Sequence, residues 1–251
     1  MGTISVFVCE RPAHLISSNY LCHLASSQTL YPPSHQCQNA DCNRNSRGLR
    51  LQKAEQHQGV LYTLNDGSLP VWVIRLYCQG VSACYDTFAM HSHSQIACKI
   101  DYHLNYYVRA GQRTYYDSMP EVIQVGKHRF IECRVVELWR TDMLLAWKSA
   151  TNCARTYQFA LSKVQEPPAD WKIGFTLKPE HVYDAFTILS LLDDHQARGE
   201  TLVVPHTGNQ QDRFKTAMQA RSIRIRLYHQ PEINHYCAKC IRTYKGPDGQ
   251  G

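Results

Sequence analysis

Residues 59–78 read GVLYTLNDGSLPVWVIRLYC, two apolar runs joined by a polar turn. Residues 59–64 and 71–77 are rich in Val, Ile, Leu and Tyr, and β-branched and aromatic residues are enriched in strands. The Asp66-Gly67 dipeptide between them is a strong hairpin signal, because glycine accepts the positive φ of a tight turn. The segment therefore predicts an antiparallel hairpin whose second strand runs directly into Cys78.

Two more pairs of strands are predicted after this hairpin. Residues 100–107 and 113–116 carry alternating and aromatic side chains on either side of a turn at Gly111. Residues 122–125 and 130–136 flank a Gly-Lys turn and predict a further hairpin. The first half of the chain is therefore expected to be mainly β.

The spacing of apolar residues then changes to three and four residues, which is typical of helices. Residues 137–146 and 149–162 show this pattern, the second after a cap at Ser149 or Thr151. Pro167-Pro168 ends that helix and marks a predicted domain boundary. Three later elements are predicted: an amphipathic helix over 178–194, a short strand over 201–204 and a basic helix over 210–226.

Eleven cysteines in 251 residues give the first chemical signal. No run approaches the roughly 18 apolar residues of a membrane helix, and the start of the chain makes a poor signal peptide. We therefore expect an intracellular protein without a membrane partner. In a reducing compartment, closely spaced cysteines indicate metal ligands rather than disulfides.

Two cysteine pairs have the spacing or the context of a metal site. Cys37 and Cys42 lie in CQNADCNRNSR, a polar, turn-like run that needs a clamp to stay ordered. Cys78 ends a predicted strand, and Cys98 follows it twenty residues later. Two such pairs complete the tetrahedral thiolate shell of a structural Zn²⁺. The sequence therefore predicts one structural Zn²⁺ bound by these four cysteines.

The spacing between Cys78 and Cys98 is too long for a ribbon pair. Residues 81–95, VSACYDTFAMHSHSQ, begin with a residue whose codons start GT and end with one whose codons can end AG, the boundary signals of an intron. We hypothesise that this segment is a retained intron, since its removal leaves Cys78 and Cys98 in a C-x4-C pair. If the segment is protein, Cys84, His91 and His93 are competing ligands.

A third pair, Cys237 and Cys240, supplies only half a zinc shell, to be completed by His229 or His235, by residues after Gly251, or not at all. We predict an α+β protein, with a β-rich zinc-ribbon-like module followed by an α-rich segment. Its predicted parts are an extension over 1–36 with a short helix near 14–25, the module over 37–165, the α-rich segment over 166–236 and the start of a second cysteine cluster over 237–251.

A net charge of +6 favours a polyanionic partner. Two groups of basic residues are candidates for binding nucleic acid: Arg213, Arg221 and Arg224 on one helical face, and Arg109, Arg113, Lys127 and Arg129 among tyrosines. A solvated helix surface explains the first group at least as well, and buried strand aromatics explain the tyrosines around the second group equally well. We expect DNA as the partner and no small-molecule substrate.

Common enzyme motifs such as GxxxxGK[ST], GxSxG and HExxH are absent from the sequence, and we do not expect an enzyme. The alternative is a fragment of a metal-dependent nuclease or transposase that uses Asp184, Asp193 or Asp194, although adjacent carboxylates at a helix end are usually solvated. A zinc module that binds another protein is a third interpretation.

Four short motifs carry a resemblance to a known family: CKIDYHLNYYV at 98–108, RTYY at 113–116, IQVGKH at 123–128 and SATNCAR at 149–155. In this order they resemble the fifth class of cysteine-cluster domain found with KDZ (Kyakuja–Dileera–Zisupton) transposases, over about residues 37–161. The resemblance implies a zinc-binding domain for nucleic acid, acting in the nucleus, with the cytoplasm as the alternative. It also implies a transposase catalytic domain, or another protein, as a second partner.

Overall fold

The computed structural model describes residues 28–84, 94–162 and 167–228, apart from the side chains of residues 81–98 and of Gln211. The strands, numbered in chain order, are β1 Gln28–Leu30, β2 Gln52–Tyr62, β3 Ser68–Cys84, β4 Ser94–Tyr102, β5 Tyr106–Arg109, β6 Gln112–Tyr115, β7 Val122–Gly126, β8 Arg129–Glu132 and β9 Val203–Pro205. The α-helices are α1 Asn43–Ser46, α2 Cys133–Leu145, α3 Ala150–Thr156, α4 Pro179–Ala197, α5 Gln210–Arg213 and α6 Lys215–Tyr228, and a π-helical segment, Tyr157–Leu161, continues α3. The predicted helix near 14–25 and the predicted second cluster over 237–251 lie outside the described residues.

The strands form one sheet in the order β7-β8-β2-β3-β4-β5-β6-β9. Within the described ranges, β2 and β8 pair in parallel, and β1 runs parallel to the first half of β3. The other pairs are antiparallel. Helices α2, α3 and α4 complete the fold, and the predicted α+β class is confirmed.

The predicted β2–β3 hairpin is confirmed, and it is longer than expected, with Tyr62 paired to Ser68 at its closed end. Gly67 adopts φ +78° in the turn. A methyl group at this position would collide with the backbone of Ser162, because the turn packs against the end of the α3 region. The Ser68 N–H also donates to the Ser162 carbonyl at 3.2 Å.

The structure corrects three of the predicted element boundaries. Residues 100–107 form two strands rather than one, joined by a turn in which the His103 N–H donates to the Tyr106 carbonyl at 2.8 Å. The predicted strand over 130–136 ends at Glu132, and residues 133–136 open α2 because Val135 and Val136 pack into the core as helical residues. The predicted basic helix over 210–226 is divided at Phe214, whose ring is buried.

The main core lies between the sheet and helices α2–α4. Its largest members include Trp139 from α2, Tyr157 after α3 and Ile188 from α4, all with at most 1% of their surface exposed. Helix α4 packs against β7, α2 and α3, and β9 extends the sheet beyond β6. The two predicted parts, 37–165 and 166–236, therefore share one hydrophobic core, and the predicted boundary at Pro167-Pro168 stays a prediction.

Gly67 and Gly111 have nearly equal φ angles but different surroundings. Alanine substitutions at the two positions therefore separate the cost of backbone strain from the cost of steric overlap. Gly111 has φ +77°, and a methyl group added there would meet nothing within 4 Å, whereas Gly67 faces the Ser162 backbone. Both alanine substitutions carry the left-handed penalty of about 1–2 kcal/mol. Gly67→Ala adds about 1–3 kcal/mol for overpacking. Denaturant unfolding should therefore show a larger loss of stability for Gly67→Ala than for Gly111→Ala, and equal losses would contradict the close approach.

Candidate metal centre

The candidate centre is built on one face of the β3–β4 hairpin. Successive side chains of a strand point to opposite faces, and Ile74, Leu76 and Cys78 are the alternate, buried residues of β3. The register pairs Leu76 with Tyr102 and Cys78 with Ile100 on β4. The Cys78 thiol therefore enters a small cluster of buried apolar side chains, separate from the main core.

The segment around Cys37 and Cys42 folds over this face as a closed loop. Its base is a backbone bridge between Gln36 and Arg50. Within it, the Cys42 N–H donates to the Asn39 carbonyl at 3.0 Å, and the Ser46 N–H donates to the Cys42 carbonyl at 3.1 Å. These bonds place both cysteines of the loop on its inner side, where they are at most 2% exposed.

Three of the four predicted ligands come together. The sulfurs of Cys37, Cys42 and Cys78 all lie within 4.8 Å of one another, and those of Cys42 and Cys78 are 3.5 Å apart. Among the described residues, no other group of three or more His, Cys, Asp or Glu side chains approaches in this way. Buried sulfurs that converge from a loop and a strand are an arrangement suited to a structural metal ion.

Two polar groups around the sulfurs fix their positions. The Tyr102 hydroxyl donates to Cys37 Sγ at 3.3 Å and accepts from the Gln38 N–H at 2.9 Å, so that it ties the loop to β4. The Gly80 N–H donates to Cys78 Sγ at 3.3 Å. Hydrogen bonds of this kind orient metal ligands.

Burial and the closeness of the three sulfurs favour neutral, protonated thiols in the cluster when no cation is bound. Burial raises the pKa of the Cys78 thiol, and the neighbouring Cys37 and Cys42 raise it further, whereas the Gly80 N–H lowers it. Burial likewise raises the pKa of Tyr102, which keeps its hydroxyl a neutral donor. Adjacent thiolates in an apolar site repel one another, and a divalent metal ion removes both the protons and the repulsion.

The absence of a side chain at Gly80 leaves the space that Cys42 Sγ occupies. A methyl group at Gly80 would collide with Cys42 Sγ and approach Asn43 Oδ1 to 2.9 Å. The sequence-based prediction of the site included neither Gly80 nor Tyr102. The alternation of Cys78 and Gly80 along one strand was the available signal, but its meaning depends on the loop that packs there.

The remaining predicted cysteine ligands are known only by their backbone positions or not at all. The Cα of Cys98 pairs with that of Gly80, and the Cα of Cys84 pairs with that of Ser94 nearer the hairpin tip. Cys237 and Cys240 lie outside the described residues, as do His91 and His93. Cys153 is buried in the main core, as expected for a small apolar side chain.

The structure does not gather the three predicted arginines of the basic helix on one free face. Arg213 is 8% exposed and donates to the carbonyls of Pro205 and His206, each at 2.9 Å. Arg221 and Arg224 both face Asp194, which also forms a 2.9 Å salt bridge with Arg198. The contacts of Arg221 and Arg224 with Asp194 fasten α6 to α4.

The second basic group is more accessible. The Arg109 side chain is exposed, and Lys127 forms a 3.2 Å salt bridge with Glu55 while remaining 63% exposed. The Arg113 guanidinium lies 4.4 Å from the Tyr106 ring centroid, a cation–π contact. Arg129 is half-buried.

The three aspartates of the nuclease alternative interact with different partners. Asp193 forms a 2.5 Å salt bridge with Arg140, and Asp194 faces the three arginines named above. Burial raises the pKa of Asp184 to about 6, although a hydrogen bond from Gln210 opposes this. In the described part of the chain, these aspartates do not converge on a shared metal position.

The fold and the sulfur cluster define a cysteine-cluster protein with a candidate metal centre. A family model described as a CxC5-like cysteine cluster associated with KDZ transposases matches residues 25–161. The match spans more than half of the chain, which therefore belongs to this family, and the predicted resemblance is confirmed. No curated protein and no solved structure matches the chain. The helices of the described residues include none with the length and apolarity to cross a membrane.

The approach of Cys42 to Gly80 leads to a prediction about metal affinity. Gly80→Ala should displace the Cys42 sulfur and lower zinc affinity by about 10-fold or more, the scale of disturbed support around a metal site. Gly174→Ala is the matched control, since a methyl group there meets nothing within 4 Å. Competition with a chromophoric zinc chelator measures both affinities. An unchanged affinity in Gly80→Ala would show that Cys42 does not bind the metal.

Proposed function

We propose that the chain is a structural zinc-binding domain of a transposase-associated protein. The convergence of three buried sulfurs on one face of the β3–β4 hairpin is the observation that carries the proposal. Three soft sulfur ligands in a closed, apolar site favour Zn²⁺ over Mg²⁺ or Ca²⁺, which take oxygen ligands. With a fourth protein ligand the shell would be closed and the zinc structural, because no position would remain open for a substrate.

We propose Cys98 as the fourth ligand. Directly paired residues of antiparallel strands lie on the same face of the sheet, and the partner of Cys98 is Gly80, two residues beyond Cys78. Cys84 is six residues beyond Cys78 on the same strand, which places it about 20 Å away at roughly 3.3 Å per residue. The backbone register therefore favours Cys98 over Cys84.

The hairpin register also bears on the hypothesis of a retained intron. Removing residues 81–95 would leave Ile96-Ala97 as a two-residue loop between the paired Gly80 and Cys98. Two-residue loops are the commonest hairpin connections. We propose that the zinc centre, a ribbon-like unit of loop and hairpin, forms with or without this segment, because the segment only lengthens the hairpin at its tip.

The zinc ion would join a loop with little core of its own to a stable sheet. Helix α1 has no buried residue, so the loop depends on Cys37 and Cys42 for its anchoring. Apparent binding free energies of structural zinc in small peptides are about 10–16 kcal/mol at neutral pH. Even a fraction of this energy is enough to order such a loop.

We further propose that the domain binds DNA, or helps assemble a transposase on DNA, in the nucleus. The net charge of +6 and the exposed side chains of Arg109 and Lys127 support this proposal. So does the association of the family with transposases. A transposase catalytic domain is the second partner that we propose, and no chemistry of its own is assigned to the chain.

The zinc centre predicts one Zn²⁺ per chain by mass spectrometry under native conditions. Serine in place of Cys37, Cys42, Cys78 or Cys98 should abolish or strongly weaken binding, because each loses one of four ligands. Cys153→Ser is the control, since that thiol lies in the main core. The chain without residues 81–95 should also bind one ion. Full zinc content in Cys98→Ser would remove Cys98 from the centre, and none in the native chain would refute the centre itself.

The DNA proposal predicts salt-dependent binding. The logarithm of the association constant should fall linearly with the logarithm of salt concentration, and loss of one phosphate contact should reduce the slope by about 1. Arg109→Gln is the test variant. Arg198→Gln is the matched control, because Asp194 and Glu200 already bind that guanidinium. Binding of a transposase domain by a chain that has no affinity for DNA would instead support a protein-interaction module.

A further inference from the structure

An open groove with two aromatic walls lies at the end of α2, away from the cysteine cluster. Trp147 and Phe159 line it with 91% and 85% of their surfaces exposed. The volume of the groove is about 640 Å³, which is within the size range of small-molecule sites. Exposed aromatic side chains of this size usually bury themselves in the core or at an interface.

The backbone of Trp147 is strained. Its φ is +54°, in the left-handed region that glycine normally occupies after a helix. The turn is maintained by Asp142, whose backbone carbonyl accepts from the N–H groups of Ala146 and Lys148 at 3.0 and 3.3 Å. The Asp142 carboxylate also forms a 2.5 Å salt bridge with the Lys148 ammonium. Strain at a residue that contributes nothing to the core indicates a role in binding.

The lining of the groove has a definite chemical character. Apart from its two rings, it consists of the small or polar side chains of Ala146, Lys148, Asn152, Arg155, Thr156 and Ala160. Two of these are cations and none is a carboxylate. The described residues include no carboxylate in a salt bridge with Arg155.

These features fit a flat ligand with polar edges and a negative charge. A groove for an aliphatic peptide side chain would have large aliphatic residues in its wall, but the exposed Leu144 and Leu145 lie nearby without lining it. Aromatic side chains with an adjacent cation are the elements by which proteins bind unpaired bases: the rings stack on the bases and the cation neutralises phosphate.

We infer that this groove is a binding site for single-stranded nucleic acid. Unpaired bases stack on Trp147 and Phe159, Asn152 offers hydrogen bonds to a base edge, and Arg155 neutralises the adjacent phosphate. The inference rests on the proposed nucleic-acid role of the chain and adds to it a preferred substrate. Bases inside a duplex are stacked on each other, so the rings act only on unpaired ones.

The test compares a labelled oligothymidine with a duplex of the same length, using fluorescence anisotropy and the zinc-loaded full chain. Trp147→Ala and Phe159→Ala should each weaken binding to the single strand by about 5- to 150-fold, the range for losing one base–aromatic stack. Binding to the duplex and zinc content should not change. Tyr183→Ala is the matched control, because Tyr183 is an exposed aromatic residue on α4 outside the groove.

A second pair of variants separates binding from folding. Trp147→Gly relieves the left-handed strain, so it should melt at a higher temperature than the native chain and still lose affinity for the single strand. Trp147→Tyr retains a ring and should retain most of the affinity. If the loss of affinity came from a general folding defect, Trp147→Gly would melt at a lower temperature than the native chain.

The outcomes distinguish this inference from the function on which it rests. Native chain that binds duplex but not oligothymidine, or groove variants that bind oligothymidine as tightly as the native chain, would overturn the inference and leave the DNA-binding role intact. A native chain that binds neither would overturn both. Loss of binding to a transposase domain in Trp147→Ala, with oligothymidine binding unchanged, would identify the groove as a protein-docking surface instead.

Discussion

The packing of Cys42 Sγ against the backbone of Gly80 is the contact on which the cysteine cluster depends. Only a residue without a side chain lets the loop come close enough for Cys37 and Cys42 to meet Cys78. The Tyr102 hydroxyl then joins loop and sheet through Cys37 and Gln38. A loop with a one-turn helix and no buried residue in that helix is thus attached to the sheet mainly through its sulfurs.

Strand β3 connects this cluster to the rest of the molecule. Its first half lies between β1 and β2. There Val71 and Val73 pack with Phe130 in an apolar cluster that is separate from both the main core and the cysteine cluster. Its second half carries Cys78 and Gly80 and pairs with β4. A single long strand therefore connects the main sheet to the candidate metal centre.

Local signals in the sequence were sufficient for the hairpin and for the cap at Ser149, whose side chain accepts from the Asn152 N–H. They also singled out Cys37, Cys42 and Cys78, whose sulfurs the structure brings together. They were insufficient where distant residues decide the outcome. Val135 and Val136 suit a strand by propensity, yet tertiary packing makes them helical. The Arg213 guanidinium donates to the carbonyls of Pro205 and His206, and the Arg224 guanidinium forms a salt bridge with Asp194. The charge of a residue is visible in the sequence, whereas its partner depends on the fold.

The antiparallel register of β3 and β4 determines where residues can be inserted without disturbing the strand pairing. Residues 81–84 on one arm are matched by residues 94–97 on the other, so growth at the tip leaves every pairing below it unchanged. The Cα of Cys98 pairs with that of Gly80, two residues from Cys78, and this pairing does not depend on the number of residues at the tip. A hairpin of this kind tolerates insertions at its tip that a fixed spacing of cysteines along the sequence would exclude.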